Sequence, residues 1–370
     1  VFVGYGISAP EFNWNDYKDA DLRGKVLLML VSEPPSDAPK FCKGPALTYY
    51  GRWTYKFEEA ARRGAVGAVL IHRTDMASYG WEVVRNSWSG ERSYLKAEAP
   101  QLQAAGWIQL EVARKALAAA GQNLDQLLER AQSRDFSPLP LPLKLKAHVE
   151  SKVRSFQSSN VVAKLPGSDT RLKDEAILYS AHYDHLGVRP NMPGDNIFNG
   201  AVDNATGCGM LLELARAYAT AAARPPRSIL FAAVTAEEQG LLGSEYLGKN
   251  PPVPAGRIHL NLNVDAIEPL GDPEHVEVSG SERTSFYPMV ESTAQNFGLE
   301  ITPDANPGAG YFYRSDHFSM ARVGVPAFSV DVGRKFKGRS LEWGNQQSAD
   351  YRARRYHQPA DEFLPDMDFT

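Results

Sequence analysis

From residue 158 onward, apolar runs of strand length alternate with segments of helical periodicity, and this alternation most limits the folds open to the chain. The predicted strands cover 176–182, 227–238, 257–268 and 325–333, and the predicted helices cover 207–222 and 285–298. Strands that alternate with helices favour an α/β domain with a largely parallel sheet. Ligands in such sheets bind beyond the carboxyl ends of the strands, so the polar residues at those ends are candidates for a functional site.

The pattern of predicted strands and helices in the first half of the chain differs from that in the second half and predicts a second, smaller α+β domain. Its predicted strands cover 24–30 and 66–71, its predicted helices cover 55–63 and parts of 111–131, and the proline-spaced segment 133–151 is expected to form a connector and an edge strand. Gly64 is expected at the left-handed position that follows a helix. We therefore divide the chain into domains at 1–150 and 151–370.

The charge and hydropathy of the chain argue against two classes of partner. A net charge of −4 gives no basic footprint for nucleic acid. No segment approaches the ~20 consecutive apolar residues that a membrane span requires. A hydrophobic fraction of 43% and a charged fraction of 23% are ordinary for a globular protein.

Each strand of the second half leads to residues that bind metals or move protons. In chain order these candidates are His182, Asp184, Asp203, Glu237, Glu238, Asp265, His317 and His357. Imidazole nitrogens and carboxylate oxygens suit zinc, and carboxylates bridge metals that lie ~3.5–4 Å apart. Ligand type alone leaves manganese, cobalt and magnesium open.

Taken singly, these residues have simpler explanations. The pair Glu237–Glu238 is typical of the solvated first turn of a helix, Asp203 before "NATG" is typical of a helix N-cap, and His182 with Asp184 fits a surface pair. Their occurrence in this order at successive strand ends favours a metal site instead. Other catalytic motifs fail: "GRKFKGRS" (333–340) has arginine where a phosphate-binding loop needs lysine, and the chain lacks the G-x-S-x-G pattern.

The joint pattern resembles the M28 family of co-catalytic metallopeptidases. The matching segments are "SAHYDHLG", "GAVDNATG", "TAEEQGLLGS", "NVDAIE", "RSDHFSMARVGVPAF" and "YHQPADEF". The first half, from "GKVLLMLV" to "AARRGAVGAVLIH", resembles the protease-associated (PA) domain often inserted in that family. The resemblance implies a three-layer zinc-peptidase domain with a mixed, largely parallel central sheet flanked by helices, plus a smaller α+β PA domain.

The resemblance also implies a role for each candidate residue. His182 and Asp265 would bind one metal ion, Glu238 and His357 would bind a second, and Asp203 would bridge the two. Asp184 would orient His182, as metal-bound histidines generally require. Glu237 would be the general base that takes a proton from the attacking water and passes it to the leaving amine. The two neighbouring glutamates would thus have different tasks.

Two assignments stay open at this point. His317 competes with His357 for the last metal position, and we favour His357, which leaves His317 to line the substrate pocket. Tyr356 is the expected donor to the oxyanion, with Tyr311 and Tyr313 as rivals. The aromatic, basic stretch "YYGRWTYK" (49–56) either faces the site or packs in the core.

The function that follows is removal of amino-terminal residues from peptides by two metal ions, expected to be zinc. The same fold also allows a carboxypeptidase, in which Arg314 or Arg322 would bind the terminal carboxylate, or a glutaminyl cyclase with one metal. A non-catalytic binding module is the alternative of a different class. We expect peptide partners, no nucleic acid and an exported protein whose signal lies outside this sequence. The oligomeric state is left open.

Overall fold

The computed structural model describes residues 1–34, 46–96, 102–148 and 150–370. Within it the chain divides into two units. Unit 1 comprises Val1–Val84, Lys96–Ser155 and Asn306–Tyr313, and unit 2 comprises Arg85–Leu95, Phe156–Ala305 and Arg314–Thr370. The assignment of 1–150 to a PA domain and of 151–370 to a peptidase domain stays a prediction.

Unit 1 is built on a parallel sheet in which β4 lies between β3 and β5. The elements described there are β1 (Ser8–Ala9), β2 (Trp14–Asn15), β3 (Val26–Leu30), α1 (Trp53–Arg62), β4 (Gly67–His72), α2 (Thr74–Ala77), α3 (Trp81–Trp88, which continues into unit 2), β5 (Ala104–Gln109), α4 (Leu110–Ala119) and α5 (Leu124–Arg130). Alternate residues of β3 enter cores on opposite faces, with Leu27 and Met29 in one core and Leu30 in the other. Gly64 follows α1 with a φ of +72°, as predicted.

The expected edge strand within 133–151 is wrong. Among the described residues of this segment, Leu139 forms an isolated bridge with Phe2, in which each amide N–H donates to the other carbonyl at 2.9 Å. Pro138 and Pro140 flank Leu139, and neither has an N–H to extend a ladder. The segment therefore pairs at one position and stops.

Unit 2 contains a seven-stranded mixed sheet in the order β13-β12-β14-β11-β7-β10-β6. Its elements are β6 (Val161–Leu165), β7 (Ala176–His182), β8 (Gly187–Val188), β9 (Ile197–Phe198), α6 (Thr206–Thr220), β10 (Ser228–Val234), α7 (Leu242–Lys249), β11 (Ile258–Val264), β12 (His275–Ser279), α8 (Tyr287–Asn296), β13 (Glu300–Ile301), α9 (His317–Arg322), β14 (Ala327–Val332) and α10 (Leu341–Arg354). Strands β14, β11, β7 and β10 are mutually parallel, whereas β6 pairs antiparallel with β10 and β12 pairs antiparallel with β14. The predicted mixed, largely parallel sheet is confirmed.

Helices cover both faces of this sheet. Leu178 and Leu230 face a core shared with Leu247 of α7 and Met320 of α9. The alternate residues of the same strands enter a second core that includes Leu211 of α6. Because both faces are buried, β7 and β10 are largely apolar runs, and the sequence alone therefore predicted them.

Two predicted strands are shorter than expected. The segments 227–238 and 257–268 leave the sheet after Val234 and Val264. Ala236 and Ala266 each have a φ of +55°, which an extended strand does not allow. The chain therefore turns at the positions where the site residues begin.

Helix α10 was not expected, because its residues carry no continuous apolar stripe. Ser340 caps it, since its hydroxyl accepts a hydrogen bond from the Trp343 amide at 3.1 Å. Nowhere in the described ranges does a helix combine the length and the apolar character needed to cross a bilayer.

Glycines in α6 and α7 provide a test of the packing at the end of β10. A side chain at buried Gly243 would overlap the carbonyl oxygen of Thr235, whereas exposed Gly209 has open space around it. We expect Gly243→Ala to lower the free energy of unfolding by about 1–3 kcal/mol because the backbone must shift. The control Gly209→Ala is expected to raise it by up to about 1 kcal/mol, since alanine favours a helix over glycine. Urea unfolding followed by circular dichroism measures both, and equal shifts of the two midpoints would contradict this account.

Candidate metal centre

The ends of three parallel strands bring the first site residues together. His182 is the last residue of β7 and lies in register with Val234, the last residue of β10. On the other side of β7, β11 ends at Val264, and Asp265 follows. His182 Nε2 lies 3.2 Å from Asp265 Oδ1 as a result.

Asp203 enters the same region from the loop before α6. Its Oδ1 lies 3.2 Å from His182 Nε2. Asp361 holds the loop in place, because its carboxylate accepts hydrogen bonds from the amides of Val202 and Asp203 at 3.0–3.2 Å. Asn204, which follows Asp203 after a cis peptide bond, donates to the Val264 carbonyl at 3.0 Å and accepts from the Ala266 amide at 3.1 Å. These bonds tie the loop to the end of β11.

A second group forms around Glu238 and the other side of Asp203. His357 Nε2 lies 3.2 Å from Glu238 Oε2 and 3.4 Å from Asp203 Oδ2. The other oxygen of Glu238, Oε1, lies 2.7 Å from Nδ1 of His185. Asp203 thus presents one oxygen to His182 and the other to His357, which places it between the two groups.

The two predicted histidine ligands share one arrangement. Each directs Nε2 toward carboxylates, and each has Nδ1 close to a polar group that fixes the ring: the Asp184 carbonyl at 3.0 Å for His182 and the Ser87 hydroxyl at 2.9 Å for His357. Histidines that bind metals generally make such a bond with the other ring nitrogen. In His185 the nitrogen that faces a carboxylate is Nδ1, 2.7 Å from Glu238 Oε1, and no polar group of the described residues fixes the ring through Nε2. The structure therefore distinguishes His185 from the other two.

Asp184 contacts His182 through its backbone rather than through its carboxylate. Its side-chain Oδ1 lies 4.0 Å from His182 Nδ1 and instead accepts a hydrogen bond from the Glu237 amide at 3.2 Å. Asp184 therefore connects the turn that carries the glutamate pair to the end of β7.

A chain of buried hydrogen bonds runs through the sheet to Asp265. Its members, in order of donation, are Asn261, Ser180, Asn263, Ser315 and Asp265, with donor–acceptor distances of 2.9, 2.7, 2.7 and 2.5 Å. Every member donates toward the carboxylate, so Asp265 Oδ2 is the terminal acceptor. Buried polar groups of this kind must be paired, and here their pairing orients a site residue.

Burial and mutual charge shift the pKa values within the site. Burial opposes protonation of His182, but the carboxylates of Asp265 and Asp203 outweigh it and raise its pKa. Burial also raises the pKa of half-buried Glu237, and the neighbouring charges of Glu238 and Asp265 add to the shift. Burial opposes ionisation of Asp203, but its hydrogen bonds with His182 and His357 hold its pKa well below the usual range.

The donor set fits two divalent ions. One group of donor atoms belongs to His182, Asp203 and Asp265, and another to His185, Asp203 and Glu238, with all atoms of a group within 4.8 Å of one another. Two carboxylates and an imidazole that face one point are stabilised by a cation between them. Nitrogen and carboxylate oxygen are the ligands that zinc accepts, and the shared Asp203 has the position of a bridging ligand.

The remaining predicted residues differ in burial and in the unit to which they belong. The ring of Tyr356 packs on His357 with centroids 4.0 Å apart, and burial raises the pKa of its hydroxyl, which keeps the proton available for donation. His317 begins α9 and is fully buried. Tyr311 and Tyr313 belong to unit 1, where the Tyr313 ring lies 6.1 Å from that of Tyr49. The roles of all four stay predictions.

Sequence reasoning missed several residues that hold the site together. These are Ser87, His185, Asn263, Ser315 and Asp361. All of them except Ser87 lie inside the quoted motifs: His185 in "SAHYDHLG", Asn263 in "NVDAIE", Ser315 in "RSDHFSMARVGVPAF" and Asp361 in "YHQPADEF". Their position was therefore a usable signal. Nothing in the sequence marks Ser87, which lies 270 residues from its partner His357.

Comparison with known proteins identifies the family. A family model described as "Peptidase family M28" matches residues 160–365, which is more than half of the chain, and the chain belongs to this family. A probable zinc metalloprotease of Pyricularia oryzae is 38% identical over 109 residues, covering 30% of this chain and 21% of the relative. Leupeptin-inactivating enzyme 1 of Streptomyces exfoliatus is 27% identical over 226 residues, covering 56% of this chain and 45% of the relative.

The chain spans between about a fifth and about half of the length of these curated relatives. Among solved structures, an aminopeptidase from Aneurinibacillus sp. strain AM-1 is 19% identical with a TM-score of 0.47, over 95% of this chain and 73% of that one.

Ser315 offers a test of the hydrogen-bond chain. Ser315→Ala removes the donor to Asp265 and the acceptor for Asn263, so we expect metal affinity to fall about 10-fold or more. Titration against a chromogenic chelator measures the affinity. The control Ser329→Ala removes a serine hydroxyl from β14 whose bond, to the Asn263 carbonyl, is 3.4 Å long, and it should leave the affinity unchanged. Equal metal affinities for the two variants would show that the hydrogen-bond chain does not support Asp265.

Proposed function

We propose that this member of peptidase family M28 is a metal-dependent exopeptidase that removes residues from the amino end of peptides. The observation that carries the proposal is the shared carboxylate of Asp203, with His182 3.2 Å from one oxygen and His357 3.4 Å from the other. A carboxylate in that position, with further acidic residues on both sides, suits a two-metal hydrolase.

In this proposal His182 and Asp265 would hold one zinc ion, Glu238 and His357 would hold the other, and Asp203 would be a ligand to both. His357 is preferred to His185 as a ligand because its Nδ1 is fixed by Ser87. His185 instead supports Glu238 from the side of Oε1. Asp184 holds the turn that carries Glu237 and Glu238, and Ser315 holds the carboxylate of Asp265.

The chemistry that two zinc ions supply when bound is polarisation of the scissile carbonyl and acidification of water. Glu237 takes the proton of the attacking water and delivers it to the leaving amine. The Glu237 amide donates to Asp184 Oδ1 at 3.2 Å, and this bond holds the turn that presents Glu237 beside the donor set. The hydroxyl of Tyr356, beside His357, donates a hydrogen bond to the carbonyl oxygen as negative charge develops there.

Three alternatives make different demands on the chain. A carboxypeptidase needs a cation for the terminal carboxylate, and Arg322 is already 3.5 Å from the carboxylate of Glu245. A glutaminyl cyclase needs one metal, whereas the shared position of Asp203 suits two. A binding module needs no base, and Glu237 stands beside the donor set. We further propose that the protein is exported and that peptides are its partners.

A pair of peptides tests the reaction and its direction. An unblocked heptapeptide and its N-acetylated twin are incubated with the protein, with and without chelator, and followed by mass spectrometry. We expect stepwise loss from the free amino end, no loss from the acetylated twin, and recovery of activity when zinc follows chelation. Loss from the carboxyl end of both peptides would instead indicate a carboxypeptidase, and the absence of any cleavage would contradict the proposal.

The neighbouring glutamates test the division of tasks. Glu237→Gln removes the base but no metal ligand, so we expect turnover to fall at least about 100-fold while two metal ions per chain remain. Glu238→Gln is the matched variant, and we expect it to lose one ion. Elemental analysis gives the metal count. A Glu237→Gln variant that turns over at a near-normal rate, or that loses metal, would refute its assignment as base.

A further inference from the structure

Unit 1 contains a pocket of about 460 Å³ to which the aromatic stretch 49–56 contributes three tyrosines. This volume lies within the ~300–1,000 Å³ usual for small-ligand sites. We call it the tyrosine pocket, and its principal lining residues are Glu11, Phe12, Tyr49, Tyr50, Tyr55 and Glu58. None of them is a proposed metal ligand or the proposed base.

Aromatic rings at steep angles to one another form the walls. The rings of Tyr50 and Tyr55 are 4.9 Å apart with an interplanar angle of 87°, and those of Tyr49 and Tyr55 are 6.0 Å apart at 73°. Phe12 meets Tyr50 at 86°, with centroids 6.4 Å apart. Rings in edge-to-face pairs present their negative faces in several directions, and such faces attract cations.

Two carboxylates are fixed to this wall by tyrosine hydroxyls. Tyr50 donates to Glu11 Oε1 at 2.6 Å, and Tyr49 donates to Glu58 Oε1 at 3.0 Å. These bonds restrict both acidic side chains to positions beside the aromatic faces. Charge-assisted hydrogen bonds to a carboxylate are about twice as strong as neutral ones, so a cation with N–H donors is the complementary ligand.

The pocket also has a cation of its own, Arg62. Arg62 lies over the Tyr55 ring, with its Cζ 5.7 Å from the centroid. Its guanidinium pairs with Glu59 at 2.8 Å and lies 4.0 Å from Glu58. The fold itself thus places a guanidinium on one wall, and the lining side chains Glu11, Glu58 and Arg62 leave one negative charge in excess.

We propose that the tyrosine pocket binds the basic side chain of a peptide. The aliphatic stem of lysine or arginine would lie against the rings, and its ammonium or guanidinium group would reach Glu11 and Glu58. A quaternary ammonium ion satisfies the rings but has no N–H for the carboxylates, so it fits less well. The inference does not depend on the peptidase function, because it concerns binding at separate residues.

The test uses the full chain as purified and ligands that cannot be exopeptidase substrates. Nα-acetyl-L-lysine N-methylamide has no free terminus, and its norleucine counterpart has the same stem without the ammonium group. We expect titration calorimetry to show the lysine probe binding at least about 10-fold more tightly than the norleucine probe. Added salt is expected to weaken the lysine probe, since the site is partly exposed to solvent.

Substitutions then locate the site. Glu11→Gln with Glu58→Gln removes the charges but still accepts the tyrosine hydrogen bonds, so we expect a loss of about 10-fold or more in affinity with the fold intact. The control Glu129→Gln changes an exposed glutamate of α5 in the same unit and should have no effect. Arg62→Gln removes the resident cation and is expected to strengthen binding.

Three results would overturn the proposal. These are equal binding of the two probes, no binding of the lysine probe up to about 10 mM, or unchanged affinity in the Glu11→Gln, Glu58→Gln double variant. Weaker binding in Arg62→Gln would indicate instead that the pocket prefers an anion at Arg62.

Discussion

Repulsion among buried carboxylates is the constraint on which the rest of unit 2 depends. Asp203, Glu238 and Asp265 face one another across a space that also receives imidazoles, and Glu237 stands next to them. Removing such charges from water is costly unless opposite charge or hydrogen bonds offset it. Imidazole nitrogens lie 2.7–3.4 Å from these carboxylates, and divalent ions would supply the opposite charge in the proposed enzyme. Few backbone arrangements can offset the charges of so many carboxylates at once. This requirement limits the paths that the surrounding loops can take.

The sheet meets this constraint with backbone as well as side chains. Parallel strands end at one edge, and the left-handed turns at Ala236 and Ala266 direct the chain away immediately before Glu237 and after Asp265. Non-glycine residues adopt that conformation at a cost of about 1–3 kcal/mol, and they cluster where function requires it. His357 has a φ of +55° as well. Part of the conformational cost of unit 2 therefore lies at residues beside the candidate donors.

The sequence predicted the sheet better than it predicted the residues that support the candidate donors. Buried parallel strands are continuous apolar runs, so β7 was predicted to the residue, and acids after such runs are conspicuous. Asn263 belongs to the motif "NVDAIE", but its role was missed because a polar residue inside a strand shows no sign of its partner. Ser87 was hidden because its bond to His357 depends on the tertiary path of the chain. Local patterns carry periodicity and composition, whereas contacts between distant segments appear only in three dimensions.

The two units exchange short segments of chain, and this limits how they can be separated. Arg85–Leu95 comes from the middle of the N-terminal half yet belongs to unit 2, where Asn86 and Ser87 contact His357. Asn306–Tyr313 comes from the C-terminal half of the chain yet belongs to unit 1. Recombination at a single junction near residue 150 would therefore carry Ser87 away from His357. A functional chimaera would have to keep residues 85–95 and 314–370 from the same parent, so the two segments are expected to be inherited together.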